Sequence, residues 1–270
     1  MLFHALLAMC LAGPPSGAEP SLHARPSLIC ENDSLVAGQT AYLALAFEID
    51  PHWHLYWPGQ NDSGGPVRFN IQTPEGFTLK PARWPVPKRQ VLPGDILNHV
   101  YETSLTIIVP VQVPADAAGK DVEFTTAPDW IVCKDECIAE KGEASLKLHV
   151  NAPGTKVQAS TSSARIRAAM EALPEKKTPS GCDLSLSGNL ATVSGGLDDR
   201  LTFFPSPECS FIPDLLHEGV GKGRLRLTLK PEDQKAPRLD GVLQVERGAG
   251  APPAYYWVQL SWGEKSTPRE

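Results

Sequence analysis

Long apolar runs are almost missing from this sequence of 270 residues: beyond the first dozen, no segment approaches 18 consecutive apolar side chains, and no membrane span is expected in the mature chain. An excess of basic charge is missing too. Lys and Arg number 25 against 31 Asp and Glu, a formal charge of −6 that gives no support for nucleic acid or an anionic membrane as partner. No nucleotide-binding glycine loop, zincin helix or GxSxG elbow occurs, so a hydrolase reading has no residues to stand on. Good helical periodicity is scarce, confined to the stretch from Ala164 to Leu173 and stopped by Pro174. What is abundant is punctuation. Twenty-six prolines and 22 glycines point to many short elements joined by turns.

The opening residues, Met1 to Ala12, are apolar and are followed by Gly13, Pro14, Pro15 and the small residues Ser16, Gly17 and Ala18. This reads as a secretory signal peptide over residues 1–18, although no Lys or Arg precedes the apolar run. Cys10 follows Met9 rather than a small residue, a poor setting for lipid attachment. Export makes disulfides permissible. Without Cys10, five cysteines remain, an odd number: Cys30, Cys133, Cys137, Cys182 and Cys209. Cys133 and Cys137 are the local pair, Cys182–Cys209 is expected to staple a second region, and Cys30 is the orphan.

The local pair lies in Asp129-Trp130-Ile131-Val132-Cys133-Lys134-Asp135-Glu136-Cys137-Ile138. A bridge needs Cα atoms within roughly 4.4–6.8 Å. Residues i and i+4 of a straight strand lie about 13 Å apart, so a bridged chain must turn at Lys134, Asp135 and Glu136. Closing so small a loop removes only about 2 kcal/mol of unfolded-state entropy, against about 3.6 for a loop the size of Cys182–Cys209. Short exposed bridges are the more readily reduced. Three readings stand: a redox pair, a structural clip, or half of a metal site. Lys134 favours a thiolate nearby, while Asp135 and Glu136 oppose it.

Period-two patterns dominate the rest. Leu43, Leu45, Phe47 and Ile49 mark a strand over 40–50 with one buried face, and residues 51–57 form an aromatic strand. Residues 91–98 read as an irregular loop with apolar edges, and 104–113 and 122–124 as strands leading into the cysteines. Leu146, Leu148 and Val150 alternate after them. The fold class is therefore all-β: an immunoglobulin-like antiparallel sandwich over 19–151, a linker and helix over 152–174, and a second small β domain over 175–270. In that second region Leu184 and Leu186 face Leu190 and Val193 across a Gly188-Asn189 turn.

Several motifs occur in a fixed order: Trp53-His54-Leu55-Tyr56-Trp57, Asp62-Ser63-Gly64, Pro74-Glu75-Gly76-Phe77, Trp84-Pro85-Val86-Pro87, and the cysteine block. Together, over roughly residues 28–150, they resemble the N-terminal periplasmic domain of the thiol:disulfide interchange protein DsbD family, especially its ScsB-like branch. The resemblance implies a sandwich whose Cys133–Cys137 pair relays electrons between a membrane electron carrier or periplasmic thioredoxin-like protein and disulfide-bearing substrates. It places Cys137 as the attacking thiol and Tyr56 and His54 along the active site. It also gives residues 91–97 the place of a shielding cap, with Leu92 or Ile96 as the capping side chain. No cofactor is implied. Full-length members continue into a transmembrane conductor and a thioredoxin domain; neither is expected within these residues, so electrons are expected from a separate protein. The location implied is the periplasm or cell envelope. A non-catalytic immunoglobulin-like adaptor or copper-handling protein is the alternative, the latter using His52 and His54, which share a face of one straight strand. His99 is expected on a loop or sheet surface.

Overall fold

The computed structural model describes residues 22–233, 235–248 and 251–261. The expected signal peptide and Cys10 lie outside them. In chain order the strands are β1 (Ala24–Cys30), β2 (Leu35–Val36), β3 (Thr40–Ile49), β4 (His54–Tyr56), β5 (Ile71–Gln72), β6 (Thr78–Leu79), β7 (Lys88–Leu92), β8 (Ile96–Glu102), β9 (Ser104–Gln112) and β10 (Asp121–Thr126). Then come β11 (Asp129–Cys133), β12 (Cys137–Lys141), β13 (Ala144–Asn151) and helix α1 (Ser163–Glu171). The second region holds β14 (Asp183–Ser187), β15 (Leu190–Ser194), β16 (Arg200–Pro205), the short helix α2 (Leu215–Glu218), β17 (Val220–Lys222), β18 (Arg224–Thr228), β19 (Arg238–Glu246) and β20 (Ala254–Ser261).

Three sheets build the first region, ordered β1-β3-β9-β6, β2-β13-β10-β5 and β12-β11-β4-β8-β7. Their inner faces share a core around Leu43, Leu45, Phe47, Phe124 and Trp130, an immunoglobulin-like all-β arrangement. Fully burying such side chains stabilises by about 1.5–3 kcal/mol each. The expectation of one buried face for β3 needs enlarging. Ala44 and Ala46 on its outer face are also fully buried, because α1 lays Ile166 across Ala44 and Ile108 there. Small residues at those positions let the helix approach. Arg165 clamps it, donating to Thr106 Oγ1 and the Phe47 carbonyl and pairing with Glu48.

Residues 91–98 are not an irregular loop. Strands β7 and β8 form a hairpin in which Leu92 faces Ile96 across Pro93-Gly94-Asp95. Gly94 and Asp95 both take positive φ, 86° and 61°, a turn for which glycine and aspartate are suited. After β8, Thr103 alone (φ 66°) carries the chain from one sheet into the next, and its carbonyl accepts the Ile49 N–H.

The second region packs sheet β14-β15-β18 against β17-β16-β19-β20 around Phe203, Leu225, Leu239 and Leu243. Its Gly188-Asn189 hairpin forms in the expected register, Ser187 opposite Leu190. The two regions interlock. Phe204 and Val242 belong to the first core, while Leu97 belongs to the second.

Candidate redox site

Strands β11 and β12 are a tight hairpin, and their register sets Cys133 directly opposite Cys137. The cysteines are joined, with a Cα–Cα separation of 4.2 Å. Lys134, Asp135 and Glu136 make the turn, closed by the Lys134 N–H donating to the Glu136 carbonyl at 3.3 Å. The two sulfurs sit in unlike surroundings. Cys133 is buried with Tyr56 and Val100, whereas Cys137 is exposed at the start of β12, the edge strand of its sheet. On its other side Cys133 pairs with His54 of β4.

The aromatic strand is shorter than its sequence suggests, and this places the two histidines apart. Strand β4 begins at His54; His52 is exposed in the preceding turn with φ 72°. A residue in the left-handed region breaks the period-two alternation, so His52 and His54 do not share a strand face. Among the described residues no group of three His, Cys, Asp or Glu is placed to hold a metal ion.

His54 and Tyr56 do share a face. His54 Nε2 lies 3.1 Å from Tyr56 Oη, which lies 3.6 Å from Cys137 Sγ. A bridged sulfur has no proton to give, so the tyrosine hydroxyl donates to it and His54 Nε2–H donates to the tyrosine oxygen. Ser63 lies beside Tyr56. Ser63 is itself fixed by the buried Asn98, whose Nδ2 donates to Ser63 Oγ at 2.8 Å and whose Oδ1 accepts the Ser63 N–H at 3.0 Å. Burial raises the Tyr56 pKa, partly offset by Ser63, and lowers that of His54, partly offset by Glu102. Both are therefore neutral near pH 7, a donor chain ending on Cys137.

Gly64 completes the cover. It takes φ +69°, and a Cβ there would stand 2.1 Å from the Tyr56 ring, so only glycine lets the backbone lie on that face. The Asp62-Ser63-Gly64 motif marked this loop in the sequence; nothing there marked Asn98.

Leu92 and Ile96 are elsewhere. Glu102 of β8 is the residue level with His54 and Cys133. Ile96 lies six residues further along β8, about 20 Å for an extended chain. That end of the hairpin turns to the second region, where Leu97 is buried and Arg89 donates to the Leu216 carbonyl. The loop that reaches the Tyr56 ring is the one carrying Gly64.

Among the described residues, Cys30, Cys182 and Cys209 are separate free thiols. Cys209 Sγ contacts the Arg238 carbonyl at one end of β19, while Cys182 packs on Gly195 and Leu201, the latter paired with Val245 near the other end. The expected Cys182–Cys209 staple is therefore not made. Burial raises all three thiol pKa values, Cys30 to about 11 and Cys209 to about 12, which keeps them protonated.

A family model described as "Thiol:disulfide interchange protein DsbD, N-terminal" matches residues 27–149. Those residues form a DsbD-like N-terminal domain. A crystal structure of the N-terminal periplasmic domain of ScsB from Proteus mirabilis superposes with a TM-score of 0.53 at 14% identity, covering 89% of this chain and 92% of that one. The fold shared with that structure extends past residue 149 into the second β region. Weaker likenesses, to AvmM (TM-score 0.28, 10% identity, 49% of this chain and 92% of that one) and to a DUF4466 family protein from Parabacteroides merdae (0.24, 14%, 90% and 98%), carry no argument. Comparison with curated proteins finds no match. The DsbD-type domain is a thiol–disulfide interchange module, and no helix among the described residues is long and apolar enough to cross a membrane.

Proposed function

We propose that this chain is a periplasmic relay in which Cys137 and Cys133 pass two electrons between a separate redox partner and disulfide-bearing envelope proteins. The observation that carries it is the asymmetry of the pair: Cys137 is exposed under the Tyr56 hydroxyl, while Cys133 is buried beneath it. In the reduced protein the Cys137 thiolate attacks a partner disulfide, and a mixed disulfide forms as one partner thiolate leaves. Cys133, deprotonated, then attacks Cys137 Sγ. The second partner thiolate departs and the Cys133–Cys137 bridge closes, so the module is oxidised by two electrons and the partner reduced by two. The reverse sequence, driven by a reduced carrier protein, reloads it. Tyr56 stabilises the thiolate in both directions by donating its O–H.

Titration of the bridge against glutathione tests this reading. An exchange protein is expected near −120 to −270 mV, whereas a structural bridge falls below about −300 mV. In parallel, Cys133→Ser leaves Cys137 unable to resolve and is expected to accumulate mixed disulfides, which Cys137→Ser does not form. A structural potential together with no mixed disulfide sinks the proposal.

A further inference from the structure

The segment 57–66, whose Gly64 lies on the Tyr56 ring, is fastened at its other end to the second β region. Trp57, fully buried, donates its Nε1–H to the Pro205 carbonyl at 2.6 Å. Gly59 lies on the same carbonyl, where a Cβ would come within 1.8 Å of the oxygen. Gln60 makes a reciprocal pair with the backbone of Ile212, its Nε2 donating to the carbonyl at 2.8 Å and its Oε1 accepting the N–H at 3.0 Å. Four residues later Gly64 lies on the Tyr56 ring, next to Ser63, which Asn98 holds. Four residues span at most about 14 Å. Between the two ends, Asn61 and Asp62 are held to β8 by the His99 and Leu97 N–H groups, so the segment has no slack.

We infer that the second β region sets the reactivity of Cys137 through this strap, with Gln60 as a positioning residue that acts through Gly64 and Tyr56. The inference rests on Tyr56 being the donor to the Cys137 thiolate, as proposed above. Without the Ile212 pair the strap keeps only its tie at Pro205, and the shift passed along residues 61–64 moves Gly64 against the ring and turns the hydroxyl off the sulfur. Anything that binds the second region and moves the Pro205–Ile212 loop is then felt at the cysteine.

The test uses the whole reduced protein and follows iodoacetamide alkylation of Cys137 against pH, resolved by peptide mass so that Cys30, Cys182 and Cys209 do not contribute. In Gln60→Ala the midpoint of the Cys137 profile is expected to rise by about 0.7 unit, the worth of one ordinary hydrogen bond, a roughly fivefold smaller thiolate fraction at neutral pH. Added to Tyr56→Phe, the same change is expected to do nothing further, since the path is already cut. Arg89→Ala breaks a contact between the regions away from the strap and is expected to leave the midpoint in place. No shift in Gln60→Ala overturns the inference, and so does an equal shift in Arg89→Ala. If Gln60→Ala does not fold, Gln60→Glu, which keeps the acceptor and loses the donor, reads the same midpoint. A chain that forms no mixed disulfide yet shows the Gln60 shift loses the relay and keeps the strap.

Discussion

Tyr56 is the residue on which the site converges: His54 donates to its oxygen, Gly64 lies on its ring, and its own proton points at Cys137. Tyr56→Phe keeps the ring that Gly64 covers and removes one donor to a thiolate. The expected outcome is a slower reaction of Cys137 at neutral pH, by about five- to tenfold, with little loss of stability; the alkylation profile and a urea melt together check it. Gly64→Ala has the opposite signature. A Cβ driven into the Tyr56 ring at positive φ is expected to cost about 1–3 kcal/mol of stability, read as a lowered urea midpoint. The three other thiols are already silenced by burial, so the chemistry narrows to one pair. Much of this was legible. The cysteine block, the Trp-His-Leu-Tyr-Trp run and the Asp-Ser-Gly motif all fall at the site. Asn98 was not, because an asparagine in an apolar run carries no period or spacing that announces two bonds to Ser63.

At the scale of elements, the hairpin β11–β12 matters most. Its outer strand is an edge, held to the sheet by β11 and by Glu140, whose carboxylate accepts Trp130 Nε1–H and the His23 N–H. The bridge at its tip closes a small loop, so reduction is expected to lower global stability by no more than about 2 kcal/mol. The same reduction is expected to speed amide exchange in residues 137–139 well ahead of the rest of the sheet; hydrogen exchange by mass spectrometry of oxidised against reduced protein measures both. The hairpin was legible because the cysteine spacing demanded a turn. The neighbouring β7–β8 hairpin was obscured by Pro93-Gly94-Asp95, which reads as loop whether or not strands flank it. Placing a cap there followed from the resemblance, and only register reveals that Glu102, not Ile96, lies level with Cys133.

For the whole molecule, His99 reports on how the two regions fit. Expected on the surface, it is fully buried, edge-on to Phe204 of β16, with Nδ1–H donating to the Gln60 carbonyl and Nε2 lacking a hydrogen-bond partner among the described residues. Burial pulls its pKa from 6.5 to about 4, with Arg89 pushing the same way and Asp62 opposing. Between those pH values the unfolded chain takes up a proton that the folded chain refuses. The stability tied to neutral His99 is therefore complete above about pH 6.5 and lost as pH falls toward 4, on the order of 3 kcal/mol in all. Urea midpoints across that window are expected to fall more steeply in the native chain than in His99→Gln, with a residual slope from His54, whose pKa is lowered too. Contacts of this kind are invisible in a sequence because they join residues more than a hundred positions apart.

The exchanged side chains at that junction have a consequence for descent. A gene that carried the first region alone to a new setting would bring a core lacking Phe204 and Val242, with Trp57 and Leu97 turned outward as an adhesive face. The second region would arrive missing Leu97 in the same way. A cut at the linker after residue 151 is expected to cost each half packing that the other supplies in this chain. The lineage is expected to have kept the pair together, with changes at Gln60 or Trp57 answered by changes across the seam.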